Sequence, residues 1–378
     1  MKSVFTERIM KYFLKIIALM LFITSVFAVN VCAIDVSARS AVLIEAESGD
    51  VIFDKHCNEQ MSMASTTKIM TAIVAIENGD ISKEVIVAEE ACGIEGSSIY
   101  LTPGEVLTLE DLLYAVMLES ANDAAAAVAY EIAGGIEPFA CLMNETAARI
   151  GLSDTHFTNP HGLDEREHYT TALDLARLTA YAIRNEQFRR VVSTYRKEIP
   201  LRGNEGTRVL VNHNKLLRLS DDVIGVKTGF TKQSGRCLVS AAMRDGVCVV
   251  AVTLNAPDDW NDHLAMHELG FLEYSSYKLA EEGEFTVQVP CSYAEGGYVT
   301  LQNHDALSVT MKSGKEISHK IIADHLLFPP IELGEKLGCV NFYCDGEIIG
   351  SVPLYSTVSV SMPENDIPFY KKILDLFR

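Results

Sequence analysis

Ser65 and Lys68, in Met63-Ala64-Ser65-Thr66-Thr67-Lys68, stand one helical turn apart ahead of an apolar run, 69–76, that reads as a buried helix stopped at Gly79. Residues i and i+3 share a helix face, so the hydroxyl and the amine can meet. Serine is a weak nucleophile until a base takes its proton. A lysine can be that base only when neutral, against an ordinary pKa of about 10.4. A second cation about 4 Å away, at an effective dielectric of about 20, disfavours the ammonium by about 4 kcal/mol, or about three pK units. Desolvation acts in the same direction. A Ser–Lys catalyst therefore predicts a second lysine in its site and a helix N-terminus at the serine.

Two further clusters supply matching chemistry. Ser120-Ala121-Asn122 falls at a break between helical segments. Ser120 can relay a proton to a leaving amine and Asn122 can hold a substrate amide; the plainer alternative is a helix N-cap with Asp123 in the first turn. Lys227-Thr228-Gly229 precedes a hairpin. A cation and a hydroxyl at a strand edge can hold a carboxylate, and Gly229 lets a substrate backbone approach closely. Each pattern has a decoy. Ser275-Ser276-Tyr277-Lys278 reads as the end of a surface helix, and Lys312-Ser313-Gly314 as a hairpin turn.

With the three clusters in this order, the chain resembles the serine penicillin-recognising enzymes, most nearly the low-molecular-mass D-alanyl-D-alanine carboxypeptidases, over about 34–360. The flanking text agrees: Ala64-Ser65-Thr66-Thr67-Lys68-Ile69-Met70-Thr71, Asn159-Pro160-His161-Gly162-Leu163, Thr170-Thr171-Ala172-Leu173-Asp174-Leu175-Ala176 and Gly235-Arg236-Cys237-Leu238-Val239. The resemblance implies that Ser65 is the acylated nucleophile, Lys68 its base, and that Ser120 and Asn122 line the cleft. Lys227 and Thr228 would meet the substrate's terminal carboxylate, and the backbone N–H groups of Ser65 and Phe230 would form an oxyanion hole. The implied reaction removes the last D-alanine from peptidoglycan stem peptides through an acyl-enzyme that β-lactam antibiotics also form. No metal and no organic cofactor is implied. The implied fold is α+β, a five-stranded antiparallel sheet flanked by helices with a helical lobe, followed by a small all-β domain. One departure stands out: relatives carry an arginine after the last core strand, and Pro257-Asp258-Asp259-Trp260-Asn261-Asp262-His263 has none.

The elements that must position these residues are legible in outline. The chain has 378 residues and is 48% hydrophobic, enough for two packed domains plus processing segments. Its formal charge of -19 argues against nucleic acid as a partner, since that affinity comes from Lys and Arg neutralising phosphates. Residues 1–33 read as a signal peptide, with Lys2, Arg8, Lys11 and Lys15 ahead of an apolar run and Ala33 at the cleavage point. The mature chain is then expected at the outer face of the cytoplasmic membrane or in the cell-wall space. A peptidase domain is expected over 34–280. It has strands at 41–45 and 51–54, helices over 109–190, a hairpin of 237–243 and 247–254 around Asp245-Gly246, and a helix over 261–279. A β-rich domain is expected over 284–362, with short strands at 285–289, 298–301, 307–311, 316–322, 338–343 and 347–353. Residues 364–378 form an amphipathic segment. Tyr370, Ile373, Leu374 and Phe377 share one helical face, suited to a membrane interface or to docking on the protein.

Rival functions meet specific obstacles. A β-lactamase of the class A type needs a deacylating glutamate, and no Glu-x-x-Leu-Asn occurs between Asn122 and Lys227. A non-catalytic sensor of wall fragments or β-lactams has no need of an intact Ser/Lys pair. His263 and His267 have the i, i+4 spacing of zinc ligands, but Leu264 follows His263, so there is no His-Glu-x-x-His; an exposed helical face is the simpler expectation. Of nine cysteines, Cys32 leaves with the signal. The other eight show no framework spacing and read mostly as buried thiols, with pairing of Cys339 and Cys344 left open.

Overall fold

The computed structural model describes residues 34–201 and 206–362, so the expected signal peptide and the amphipathic segment lie outside the described residues. Strand β1 (Ser40–Glu45) is buried along its length, and β2 (Val51–Lys55) pairs with it at the sheet edge. A single 3-10 turn (Ala64–Thr67) leads into α1 (Lys68–Asn78), whose first eight residues are all buried. A helix apolar on every side belongs inside the core, and α1 runs through the middle of this one. The small hairpin β3 (Glu84–Ile86) and β4 (Val106–Thr108) opens the helical lobe of α2 (Leu109–Leu118), α3 (Asn122–Ala133) and α4 (Ile136–Arg149). Helix α2 starts at a capping box made by Thr108 and Asp111, which satisfies orphan N–H groups at the helix start. After α5 (Ala172–Ala182) and α6 (Glu186–Ser193), a hairpin of β5 (Arg196–Pro200) and β6 (Thr207–Val211) and the short α7 (Leu216–Leu219) return the chain to the sheet.

The sheet is completed by β7 (Val223–Thr231), β8 (Gly235–Arg244) and β9 (Val247–Leu254), in the order β2-β1-β9-β8-β7, antiparallel throughout. Both ends of the peptidase region thus supply strands. The β8–β9 turn is set by Asp245 and Gly246, at φ 50° and 82°, the pairing a two-residue hairpin requires. Alternation divides the sheet. Val239, Ala241, Val250 and Val252 face the core built on α1, while the opposite face meets α8 (Asp259–Glu273). The α+β architecture agrees with the expectation.

Two local readings are corrected and one open question is answered. The helix expected over 261–279 ends at Glu273, and the chain continues as β10 (Tyr274–Ala280), which pairs with β13 (Leu307–Lys312). Strand pairing overrides local helical spacing there. It also disposes of one decoy, because Ser275 and Lys278 on a strand project to opposite faces. The face carrying His263 and His267 is not exposed: both rings are buried against β8, sharing the hydroxyl of Ser240 at 2.6 and 2.7 Å. Finally, Cys339 and Cys344 lie on one strand, β15 (Lys336–Cys344), five positions apart and therefore on opposite faces, and both are free. The other strands of that region are β11 (Thr286–Pro290), β12 (Tyr298–Gln302), β14 (Ile317–Ala323) and β16 (Glu347–Ser356). They form with β15 a second five-stranded sheet in the order β11-β12-β16-β15-β14.

The buried histidine pair has a consequence for stability. Burial drives His263 well below its usual range, with His267 adding to the effect, and lowers His267 to about 4 despite Glu268 and Asp222 beside it; Arg244 reinforces that shift. Both are neutral in the fold, whereas the unfolded chain protonates them near about 6.5. The unfolded state thus binds more protons below that pH, and stability falls with acidification. The unfolding free energy is expected to hold above pH 6.5 and to decline toward pH 4 by up to about 1.4 kcal/mol per pH unit for each such histidine, with the melting temperature falling accordingly. His267→Asn should flatten the slope, measured by thermal unfolding across that range.

Candidate active site

The cleft assembles where the N-terminal end of α1 meets the free edge of β7. Ser65 sits in the 3-10 turn that opens the helix, so its N–H lies in the region where helical dipoles favour negative charge. Gly162 explains how the turn is held. At φ 86° its position is closed to most side chains, and a Cβ there would fall 2.0 Å from the Ala64 carbonyl oxygen. The Asn159-Pro160-His161-Gly162 loop therefore presses directly on the turn that carries Ser65. Asn159 accepts a hydrogen bond from Gly162 N at 2.7 Å, and Thr71 donates to the Pro160 carbonyl at 2.6 Å.

Lys68 is fully buried. Its Nζ lies 3.0 Å from Ser65 Oγ, 2.7 Å from Asn122 Oδ1 and 2.5 Å from the His161 carbonyl oxygen. A neutral amine has two N–H donors and one lone pair. The two fixed acceptors, Asn122 and the His161 carbonyl, use the donors and leave the lone pair for the Ser65 proton. Burial lowers the Lys68 pKa well below the lysine range; the Lys227 charge lowers it further, and Asp123 opposes both. The second lysine expected from the chemistry is thus present, although desolvation is the larger cause. Lys227, also buried, is itself pushed down to about 7 by desolvation, with Glu119 acting against the shift. The same setting keeps the nearby imidazoles neutral, with His161 lowered to about 3 and His168 to about 4, each chiefly by burial.

The Ser120–Asn122 segment is more than a helix cap. Ala121 is the N-cap residue of α3 and makes no side-chain cap bond; the Asn122 side chain instead accepts from Lys68 and donates to the Glu95 carbonyl at 2.5 Å. Ser120 holds φ 60° at the α2–α3 break, a conformation that costs a non-glycine residue energy and persists where the surroundings impose it. Its side chain faces a cavity of about 520 Å³, which Thr228, Gly229 and Phe230 also line. Gly229 packs so near the Ser65 turn that a Cβ there would sit 3.1 Å from Ser65 N. All eight residues expected from the sequence are therefore gathered at one place, with Lys227 behind the cavity wall and donating to the Thr228 carbonyl at 2.9 Å.

Several contributors had no distinctive pattern. Asp123 accepts from Ser98 Oγ and from the N–H groups of Ile99 and Leu101, fixing the loop that borders Asn122. Glu119 accepts from Val211 N at 2.6 Å and pairs with His213 at 3.2 Å on the cavity rim. Both acidic residues flank the Ser-x-Asn triplet, and their adjacency was the available signal. Arg236, Asp259 and Trp260 complete the wall.

Comparison with known proteins follows the same outline. A family model described as D-alanyl-D-alanine carboxypeptidase matches residues 26–258, and one described as the C-terminal domain of penicillin-binding protein 5 matches 274–361. D-alanyl-D-alanine carboxypeptidase DacF of Bacillus subtilis is 33% identical over 329 residues, covering 84% of this chain and 84% of the relative. DacC of Escherichia coli is 30% identical over 358 residues, covering 89% and 88%. The crystal structure of penicillin binding protein 5 from Haemophilus influenzae superposes with a TM-score of 0.65 at 27% identity, covering 88% of this chain and all of that one.

Proposed function

The chain belongs to the D-alanyl-D-alanine carboxypeptidase family and is a serine-type enzyme of that activity, and from this premise we propose how its own residues carry out the reaction. The substrate is a peptidoglycan stem peptide ending in D-Ala-D-Ala. Ser65 Oγ attacks the penultimate carbonyl while Lys68 takes its proton. The Ser65 and Phe230 N–H groups receive the oxyanion; removing such a donor typically costs about 10²–10³ in rate. Ser120 gives its proton to the leaving D-alanine amine and is reprotonated by Lys68, and water, giving a proton to the freed amine of Lys68, then hydrolyses the acyl-enzyme while Ser65 recovers its proton from that lysine. Asn122 holds the substrate amide, and Lys227 and Thr228 hold the terminal carboxylate, with Gly229 leaving room for the substrate backbone. β-Lactams acylate the same serine. The observation that carries this reading is the buried amine of Lys68, 3.0 Å from Ser65 Oγ. No metal or organic cofactor enters it.

We further propose that the protein is exported and held at the outer face of the membrane by 366–378, through the face formed by Tyr370, Ile373, Leu374 and Phe377 with lysines at its border.

Labelled penicillin is expected to attach to a peptide containing Ser65. Ser65→Ala should abolish the label and lower D-alanine release by about 10³-fold or more. Label persisting in that variant, or found on Ser275, refutes the assignment, and label without D-alanine release indicates a sensor. A second expectation concerns Lys227→Gln. Removing that charge relieves the ammonium form of Lys68, raises its pKa and moves the acid-side limb of the acylation pH profile to higher pH, a shift belonging to the coupled pair. A limb that stays in place means desolvation alone tunes the base. Third, deleting 364–378 should shift the mature protein from the membrane to the soluble fraction; a full-length mature protein that is already soluble makes this segment a docked helix.

A further inference from the structure

The cleft must receive a peptide that ends in a carboxylate, and burial weakens the charge of the lysine set against it. Burial drives Lys68 toward its neutral form and lowers Lys227 to about 7, and His213 is engaged by Glu119. Among the described residues that line the cavity, Arg236 is the single guanidinium, and the carboxylate of Asp259 stands beside it. Its position follows from strand register. Arg236 on β8 pairs with Phe230 on β7, and Leu238 pairs with Thr228. Directly paired residues project on the same face, as do residues two apart. Arg236 and Thr228 therefore occupy the same face of the sheet edge, toward the N-terminal end of α8.

That helix end holds the guanidinium. Asp259 is 3% exposed and accepts from Arg236 Nε at 3.1 Å and from Nη2 at 2.6 and 2.9 Å. A buried carboxylate is costly without a partner, so this bidentate pairing is strongly enforced. The ring of Trp260 stacks 5.6 Å from the guanidinium carbon. The Arg236 side chain is nevertheless 43% exposed, and its Nη1 has no acceptor among the described residues. One edge of the fork is locked and another is presented to the cleft.

Resting on the carboxypeptidase reading, we propose that Arg236 binds the terminal carboxylate of the substrate together with Thr228, and that Asp259 and Trp260 are positioning residues for it. This arrangement makes the enzyme select a C-terminal acid over its amide. Because arginine keeps its proton throughout the working range, the selectivity should persist above pH 7, where the resting Lys227 loses its charge.

The test compares hydrolysis of a peptide ending in D-Ala-D-Ala with that of its C-terminal carboxamide, by the full-length mature protein and its variants at pH 8. Wild type should prefer the acid. Arg236→Ala should lower the ratio of kcat/KM for acid over amide by about 10- to 100-fold, mostly through KM. Arg236→Lys, which keeps the charge but not the fork, should recover only part of it, and Asp259→Asn should lower the ratio by a smaller factor. An unchanged acid preference in folded Arg236→Ala overturns the proposal; if thermal unfolding shows that variant to be unfolded, unchanged preference in Arg236→Lys overturns it. A wild type that releases no D-alanine and takes no penicillin label removes the carboxypeptidase reading and this proposal with it. An active wild type whose Arg236 variants keep their selectivity removes this proposal alone.

Discussion

Everything around Ser65 depends on keeping one amine out of water. Lys68 can accept a proton only because α1 carries it into the core, where an ammonium loses its hydration. That requirement accounts for the unusual composition of α1, apolar on all sides, and for its place beneath the sheet. It also accounts for the loop at 159–162, which supplies a backbone carbonyl as an acceptor while adding no charge to the site. A charged acceptor in the same place would have favoured the ammonium. The one carboxylate that does act on Lys68, Asp123, is occupied by the hydroxyl of Ser98 and by backbone N–H groups.

Strand β7 solves a second problem by alternation. Lys227 and Gly229 face the core side, where one modulates the buried amine and the other admits the Ser65 turn; Thr228 and Phe230 face the α8 side, where Arg236 lies. Four consecutive residues thereby serve two faces of one sheet edge. The spacing in Lys-Thr-Gly is a statement about strand geometry as much as about chemistry.

The sequence disclosed what local chemistry can encode. The Ser65/Lys68 helix, the Asp245-Gly246 hairpin and the alternating strands of the β-rich region were all legible because each depends on neighbours a few positions away. The failures share a cause. Residues 275–279 have a spacing compatible with helix, and only pairing with the distant β13 makes them a strand. His263 and His267 have the pattern of an exposed face, but Ser240 and Thr253, on two other strands, receive their ring nitrogens inside the protein. In the candidate site, Arg236 was visible only as part of a family-like string. Its bond to Asp259 spans the β8–β9 hairpin and the start of α8, a separation that no local pattern records.

The charges in the cleft are linked under the proposed binding mode. A substrate carboxylate beside Lys227 favours its ammonium form and so restores a charge that burial had made marginal at neutral pH. That restored charge acts on Lys68 in the direction already seen, disfavouring its protonation. Binding the correct end of the peptide therefore strengthens the condition that the base must satisfy. By reciprocity, a neutral Lys68 makes it easier for Lys227 to hold its proton and the carboxylate. A peptide without the terminal anion gains neither effect. Under that binding mode, recognition of the substrate's end and activation of the serine are coupled electrostatically through two buried amines.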